Sequence, residues 1–185
     1  FAGYKMQEIA IGESIKTILG ASYDVHMRPG FATLGHVLPI DDLGIWKGTG
    51  KHWEDVFMTR GKGMNLTSEQ KTFIDDQLQV IEEMNLLLES HGFERVALNK
   101  KGWFYFPRIV KEISGVALPP ERPTRPDLKR VFDEATEAVQ KGIKYENNPR
   151  AVMEIHLRTR YRQILSRQLD DAIEGLGVAP RFVVP

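Results

Sequence analysis

Apolar residues recur at steps of three and four between residues 67 and 92, and this spacing predicts one amphipathic helix. Thr67 and Gln70 have the spacing of a capping box at its start, and Gly92 stands where a helix terminus favours glycine. Phe93 follows at once, where it can pack back on the last apolar turn. The apolar stripe consists of Phe73, Ile74, Leu78, Ile81, Met84 and Leu88.

Three further helices are predicted by the same reasoning. The first spans residues 4–19 and ends at Gly20. Another begins between residues 124 and 127 and ends at Gly142. The last begins at Asn148, an N-cap residue followed by proline at the first helical position, and continues to about residue 174. A helix of about 25 residues spans nearly 40 Å, so we expect it to pack against several helices or a neighbouring subunit.

Residues 21–66 show no periodic pattern, because glycine or proline interrupts every candidate element, although His52 to Met58 could form one or two helical turns. A structureless connection of this length is uncommon inside a compact domain unless it is functional or disordered. Trp46, Trp53 and Phe57 are bulky side chains of the kind that fix an irregular segment on a surface. The sequence therefore predicts a long extended arm that docks on a partner through these aromatic residues.

Residues 93–110 contain two strand-like runs around the turn signal Asn-Lys-Lys-Gly, which predicts a short β-hairpin. In its second strand, Trp103 and Tyr105 would face one side, and Phe104 and Phe106 the other. Aromatic burial on two sides is typical of a strand packed between helices or subunits, so Trp103 and Tyr105 are interface candidates. Four prolines then predict a stiff, extended connector: Pro119, Pro120, Pro123 and Pro126.

Together these elements predict a mainly α fold, a helical bundle with one short β-hairpin and a long irregular arm. The predicted boundaries are an N-terminal helix at residues 1–20, the arm at 21–66, a helical core at 67–177 with the hairpin at 93–110, and a tail at 178–185. The 185 residues suffice for one domain with a buried core. A hydrophobic content of 42% argues against a wholly disordered chain.

Charge and cysteine usage narrow the function classes. The net charge is zero, so nothing attracts the whole chain to nucleic acid or to an anionic membrane. The absence of cysteine excludes disulfides and thiolate catalysis. No apolar run approaches the roughly 18 residues of a membrane span.

The distribution of charge along the chain is uneven. Residues 67–92 have six acids and one base, a net of −5, whereas residues 93–126 have seven bases and three acids, a net of +4. We expect the basic segment to fold beside the acidic helix and neutralise it. The alternative is a pair of complementary patches for self-assembly.

Basic residues make nucleic-acid binding the alternative function. The candidates are Lys100, Lys101, Arg158, Arg160, Arg162 and Arg167. On a helical wheel the four arginines divide between two flanks of the apolar face, whereas contact with a phosphate backbone needs them on one side. This division favours arginine stems that cover the hydrophobic face.

No catalytic residue, metal site or cofactor is predicted. His52, Glu54 and Asp55 offer potential ligands, but they lack the paired histidines of a helical zinc site. An enzyme would need a site built from these three residues or from the predicted hairpin, and neither suggests a mechanism.

The sequence LTSEQ at the start of the long helix, followed by GWFYFPRIV and the proline-rich connector, resembles segments of large phage virion and mobile-element polyproteins. The resemblance covers residues 64–126 and contains no functional motif. It implies a virion component of the head, the neck or the interior, or a piece cleaved from a longer precursor. The chain begins at Phe1 rather than Met, as an excised or partial segment would.

The leading hypothesis is a non-enzymatic assembly protein of the virion or the cytoplasm that binds other protein subunits in a homo- or hetero-oligomer. Its arm and its long C-terminal helix would make the contacts.

Overall fold

The computed structural model describes residues 38–97, 102–117 and 132–177, together with Ile9 and Glu13. These residues form a mainly α structure with a small antiparallel sheet, which confirms the predicted fold class. The elements in chain order are α1 (Trp53–Met58), α2 (Ser68–Ser90), β1 (Val110–Ile113), β2 (Val116–Ala117), α3 (Ala135–Gln140), β3 (Ile143–Tyr145) and α4 (Pro149–Gly175).

Helix α2 begins and ends as the sequence predicts. Thr67 Oγ1 accepts from the Gln70 amide at 3.2 Å, and Gln70 Oε1 accepts from the Thr67 amide at 3.0 Å, which completes the capping box. At the other end the Phe93 amide donates to the Leu88 carbonyl at 3.0 Å, the long hydrogen bond of a Schellman ending. All six residues of the predicted apolar stripe are buried.

Helix α4 is also confirmed. Asn148 Oδ1 accepts from the Arg150 amide at 3.1 Å, and Pro149 occupies the first helical position. The 27 residues of the helix span about 40 Å. Its buried side chains all lie in the first 16 positions, so its first half packs on the core: Pro149, Val152, Met153, His156, Leu157, Arg160 and Ile164.

The small sheet has the strand order β2-β1-β3 and differs from the predicted hairpin. The observed hairpin joins β1 to β2 through Ser114 and Gly115, whose φ angles of 51° and 81° are those of a type I′ turn. The prediction of a hairpin at residues 93–110 is wrong, because residues 93–97 and 102–109 form no strand. Of the predicted turn at residues 99–102, only Gly102 lies among the described residues.

Helix α3 begins later than predicted. It starts at Ala135, and residues 132–134 are not helical. The prediction of one continuous helix from residues 124–127 to Gly142 is therefore wrong. Residues 118–131, which contain the proline-rich connector, lie outside the described residues. So do the predicted N-terminal helix, apart from Ile9 and Glu13, which are helical, and the predicted tail at 178–185.

Residues 38–66 belong to the main core, and this corrects the predicted arm. Trp46, Trp53 and Phe57 are all buried there, packed with residues of α2 and α4. Trp53 and Phe57 make edge-to-face contacts with each other and with Phe106, at centroid separations of 5.0 to 5.5 Å. Periodicity does not reveal this burial, because α1 is only six residues long. Residues 21–37 of the predicted arm lie outside the described residues.

The irregular segment before α1 is organised by a tight loop. Asp41 Oδ1 accepts from the amides of Leu43 and Ile45 at 2.9 and 3.0 Å. Two isolated bridges then pair Ile40 with Trp46 and Ile45 with His52. These hydrogen bonds pair the backbone of a segment without regular secondary structure, so the loop itself stays at the surface while Leu38 and Trp46 at its two ends are buried.

Candidate functional site

A buried ion cluster connects α1 to the residue pair just before β1 and to the start of α3. It consists of Glu54, Asp55 and Arg108, all three nearly inaccessible to solvent. Arg108 Nε lies 3.1 Å from Glu54 Oε2, and Arg108 Nη2 lies 3.4 Å from Asp55 Oδ1. The guanidinium also donates to the carbonyls of Phe132 at 2.7 Å and Asp133 at 2.6 Å.

Asp55 caps helix α3 from a distance of eighty residues in sequence. Its Oδ1 accepts from the Ala135 amide and its Oδ2 from the Thr136 amide, both at 2.7 Å. Thr136 Oγ1 also donates to Oδ2. The local N-cap, Glu134, forms no side-chain cap hydrogen bond. Asp55 therefore places a carboxylate where the unpaired amides and the helix dipole of α3 favour one.

His52 is the N-cap of α1 and is buried as a neutral ring. Its Nδ1 accepts from the Glu54 amide at 3.2 Å, so the proton lies on Nε2, which faces Asn147. Burial lowers the pKa of His52 to about 4, although the nearby Asp55 carboxylate opposes the shift. Gly44 makes this packing possible, because a Cβ there would lie 2.5 Å from His52 Nε2.

The buried ion cluster offers almost no surface that a substrate could reach. Its carboxylates and guanidinium are engaged with one another and with the backbone, and Glu54 has no exposed surface. A general acid or base must reach a substrate within hydrogen-bond distance, directly or through one water. Among the described residues, no group of three or more histidines and carboxylates has the geometry to hold a metal ion.

An aromatic groove of about 620 Å³ lies between α2 and the segments that follow it. Phe104 is 41% exposed at its edge, and Trp103 and Tyr105 are half-buried beside it. We call this feature the aromatic groove. Its apolar lining consists of Leu78, Ile81, Val96, Trp103, Phe104 and Tyr105.

Charged side chains border the aromatic groove. The Arg60 guanidinium lies over the Phe104 ring, 4.2 Å from its centroid, and 3.6 Å from Asp75. Arg95 contacts Glu82 at 2.5 Å and Glu89 at 2.7 Å. These last two pairs agree with the expected folding of the basic segment beside the acidic helix.

One wall of the aromatic groove is fixed by an asparagine. Asn85 Oδ1 accepts from the Val96 amide at 2.9 Å, and Asn85 Nδ2 donates to the Val96 carbonyl at 3.2 Å. The side chain thus pairs with an extended backbone as a neighbouring strand would. The segment after α2 is therefore held against the helix without becoming a strand.

The second half of α4 extends beyond the core. From Ser166 to Leu176 every side chain is exposed except Ile173, which is half-buried. Its last contacts with other described elements come from Arg167, stacked over Phe93 at 4.6 Å, and Gln168, 3.2 Å from His91. Apolar side chains nevertheless recur here at helical spacing. We call them the C-terminal stripe: Leu169, Ala172, Ile173 and Leu176.

The five predicted interface residues divide into two groups. Trp46, Trp53 and Phe57 are buried in the chain's own core and present no surface to a partner. Trp103 and Tyr105 line the aromatic groove. Phe104, which was not among the predicted interface residues, is the most exposed of the three aromatic residues of the groove.

The predicted nucleic-acid residues do not form one surface. Arg160 is buried, Arg158 contacts Glu154 at 3.3 Å, and Arg167 stacks on Phe93. Arg162 is exposed. Lys100 and Lys101 lie outside the described residues.

Leu169 and Leu176 are 61% and 77% exposed, and the sequence did not predict that they lie at the surface. Their spacing continues the helical pattern, and only the end of the core shows that they lie beyond it. The roles of Arg108 and Asp55 have no local signal in the sequence either, since their partners lie 24 or more residues away.

Comparison of the chain with protein-family models, with curated proteins and with solved structures gives no match. Of the helices described, none is both long enough and apolar enough to cross a membrane. Function therefore has to be argued from the surfaces of the molecule itself.

Proposed function

We propose that the chain is a non-enzymatic assembly protein that associates with copies of itself through the C-terminal stripe. The observation that supports this proposal most is the exposure of Leu169 and Leu176 on one side of a helix that has already left the core. Exposed apolar residues that form a contiguous patch mark interaction sites more often than scattered ones do. The resemblance to virion polyproteins favours a virion as the setting.

The charges of α4 favour a second copy as the partner. Arg158, Arg162 and Arg167 precede the stripe, whereas Asp170, Asp171 and Glu174 lie within it. Two copies of such a helix, packed antiparallel about a two-fold axis, bring the basic half of each near the acidic half of the other. An isologous contact of this kind is the commonest way in which soluble proteins form dimers. Complementary charge then selects the antiparallel arrangement.

Sedimentation velocity over a range of protein concentrations tests the proposal. We expect the mass of the wild-type chain to rise above the 21.1 kDa of one copy as concentration increases. Leu169→Glu combined with Leu176→Glu should shift association to clearly higher protein concentration, because each change places a carboxylate in the apolar contact.

The matched control is Leu43→Glu, which makes the same substitution at an exposed leucine of the Asp41 loop. It should leave association unchanged. A wild-type chain that stays monomeric throughout, or a double variant that associates like the wild type, would overturn the proposal.

A further inference from the structure

The aromatic groove and the proline-rich segment of the same chain have complementary chemistry. Residues 119–126 read PPERPTRP, with prolines at positions 120, 123 and 126. A polyproline II helix has three residues per turn, so in that conformation these prolines would share one edge. Arg122 and Arg125 would share a second edge.

Recognition of such a segment uses two features: aromatic side chains that contact the prolines, and acidic residues nearby that attract the arginines. Proline edges bind grooves lined by aromatic side chains, because a preformed polyproline II helix loses little entropy on binding. Trp103, Phe104 and Tyr105 provide the aromatic lining. A nearby acidic surface is the natural partner for the arginine edge.

Helix α2 supplies the acidic surface. Residues 67–92 have a net charge of −5. Asp75 and Glu82, the acids that line the groove, pair with Arg60 and Arg95, so the negative charge that the arginine edge can approach comes from the other acids of the helix: Glu69, Asp76 and Glu83. Burial and the neighbouring Asp75 carboxylate raise the pKa of Asp76, as expected where acids crowd together. Residues 119–131 contain four bases and two acids, a net of +2.

We propose that the aromatic groove binds the proline-rich segment 119–126 of a second copy of the chain. The prolines lie on Phe104 and Trp103, and Arg122 or Arg125 approaches the acidic face of α2. This inference rests on the proposed function for its meaning, since it supplies a second contact of the same assembly. Each copy then offers both a groove and a segment, so one copy can engage two neighbours.

A synthetic peptide of residues 117–130 tests recognition. The protein is the full chain with Pro120, Pro123 and Pro126 each replaced by Ser, so that its own segment does not compete. It also has Leu169→Glu and Leu176→Glu, so that association through α4 does not contribute. We expect the peptide to bind at micromolar concentration and to change the fluorescence of Trp103, while Trp46 and Trp53 stay buried.

Matched variants locate the binding site. Phe104→Ser should weaken binding about tenfold or more, since it removes one of the two aromatic rings on which the prolines lie. Leu86→Ser, at an exposed leucine of α2 that does not line the groove, should leave binding unchanged. Replacing both arginines of the peptide by alanine should weaken binding about twofold to fivefold, as expected for exposed ion pairs. No binding, or binding that Phe104→Ser does not weaken, overturns the inference.

Mixing two variants tests whether the groove and the segment of different copies can join. The Phe104→Ser chain retains its segment, and the triple proline-to-serine chain retains its groove. With Leu169→Glu and Leu176→Glu in both, each should be monomeric alone, and an equimolar mixture should form mixed dimers detectable by light scattering; a mixture that stays monomeric overturns the inference.

The chain whose only changes are Leu169→Glu and Leu176→Glu tests whether the segment comes from a second copy. It retains both the groove and the segment, so its mass should rise with concentration in sedimentation velocity. If this chain stays monomeric although the peptide binds the triple proline-to-serine chain, the segment lies in the groove of its own chain and the second-copy arrangement is overturned. Because these tests use chains without the C-terminal stripe, their failure leaves the proposed function standing.

Discussion

Arg108 shows how much one buried side chain organises in this fold. Its guanidinium contacts carboxylates of α1 and, at 2.6 to 2.7 Å, two backbone carbonyls just before α3. A planar guanidinium serves such divergent partners at fixed angles, whereas a lysine ammonium is a flexible point charge. The sequence could not reveal this role, because a single arginine after a proline has no local pattern.

His52 is the residue whose titration should affect stability. Its pKa is lowered from 6.5 to about 4 by burial, so the unfolded chain binds a proton below pH 6.5 that the folded chain does not bind until pH 4. The stabilisation that neutral His52 contributes to the folded chain is therefore fully present above pH 6.5, and it is lost as the pH falls from 6.5 to about 4. The loss should total roughly 3 kcal/mol, at about 1.4 kcal/mol per pH unit.

Urea denaturation at several pH values between 4 and 7 measures this effect. His52→Asn is the matched variant, since Asn also caps a helix N-terminus but does not titrate. The difference in unfolding free energy between the two proteins should shrink as pH falls. Parallel curves would show that His52 becomes protonated without cost in the folded chain.

At the scale of elements, local signals predicted α2 and α4 closely and the shorter elements only in part. The capping box of α2 and the Asn148-Pro149 start of α4 lie within four residues of chain and need no distant partner. Helix α1 is too short to show a stripe, and α3 receives its cap from Asp55. The hairpin turn at Ser114 and Gly115 is a weaker turn signal than the Asn-Lys-Lys-Gly sequence at residues 99–102, where the hairpin was predicted.

The distant cap of α3 makes a sharp prediction. Asp55→Ala should destabilise the chain by about 3–5 kcal/mol, because it leaves buried helix amides unpaired and removes one carboxylate from Arg108. Glu134→Ala, at the local N-cap that forms no side-chain cap hydrogen bond, should cost about 1 kcal/mol or less. Chemical denaturation of both variants measures the two costs. Equal losses would mean that α3 is capped locally after all.

At the scale of the whole molecule, residues 38–66 belong to the same core as α2 and α4, whereas the sequence predicted that they form a separate arm. Residues 38–66 read as irregular because their order comes from contacts across the chain. Trp53 Nε1 donates to Asn147 at 2.9 Å, and the Phe104 amide donates to the Met58 carbonyl at 2.7 Å. The glycine-rich sequence thus indicated correctly that regular structure is sparse in residues 38–66, since α1 has only six residues, but it did not indicate that the segment is buried.

Hydrogen exchange on dilute and concentrated wild-type protein tests this organisation directly. The amides of Val56 and Thr59 donate to backbone carbonyls within a fully buried helix, so they should be as protected as the centre of α2 at every concentration. The amides of residues 169–174 lie in exposed helix and should exchange quickly when dilute, then slow as copies associate. Fast exchange of the α1 amides in the dilute protein would instead support the predicted arm, which becomes ordered only when it docks on a partner. Protection of α1 with concentration-dependent protection at the end of α4 would place the contact between copies on the C-terminal stripe, and not on the tryptophans of residues 38–66.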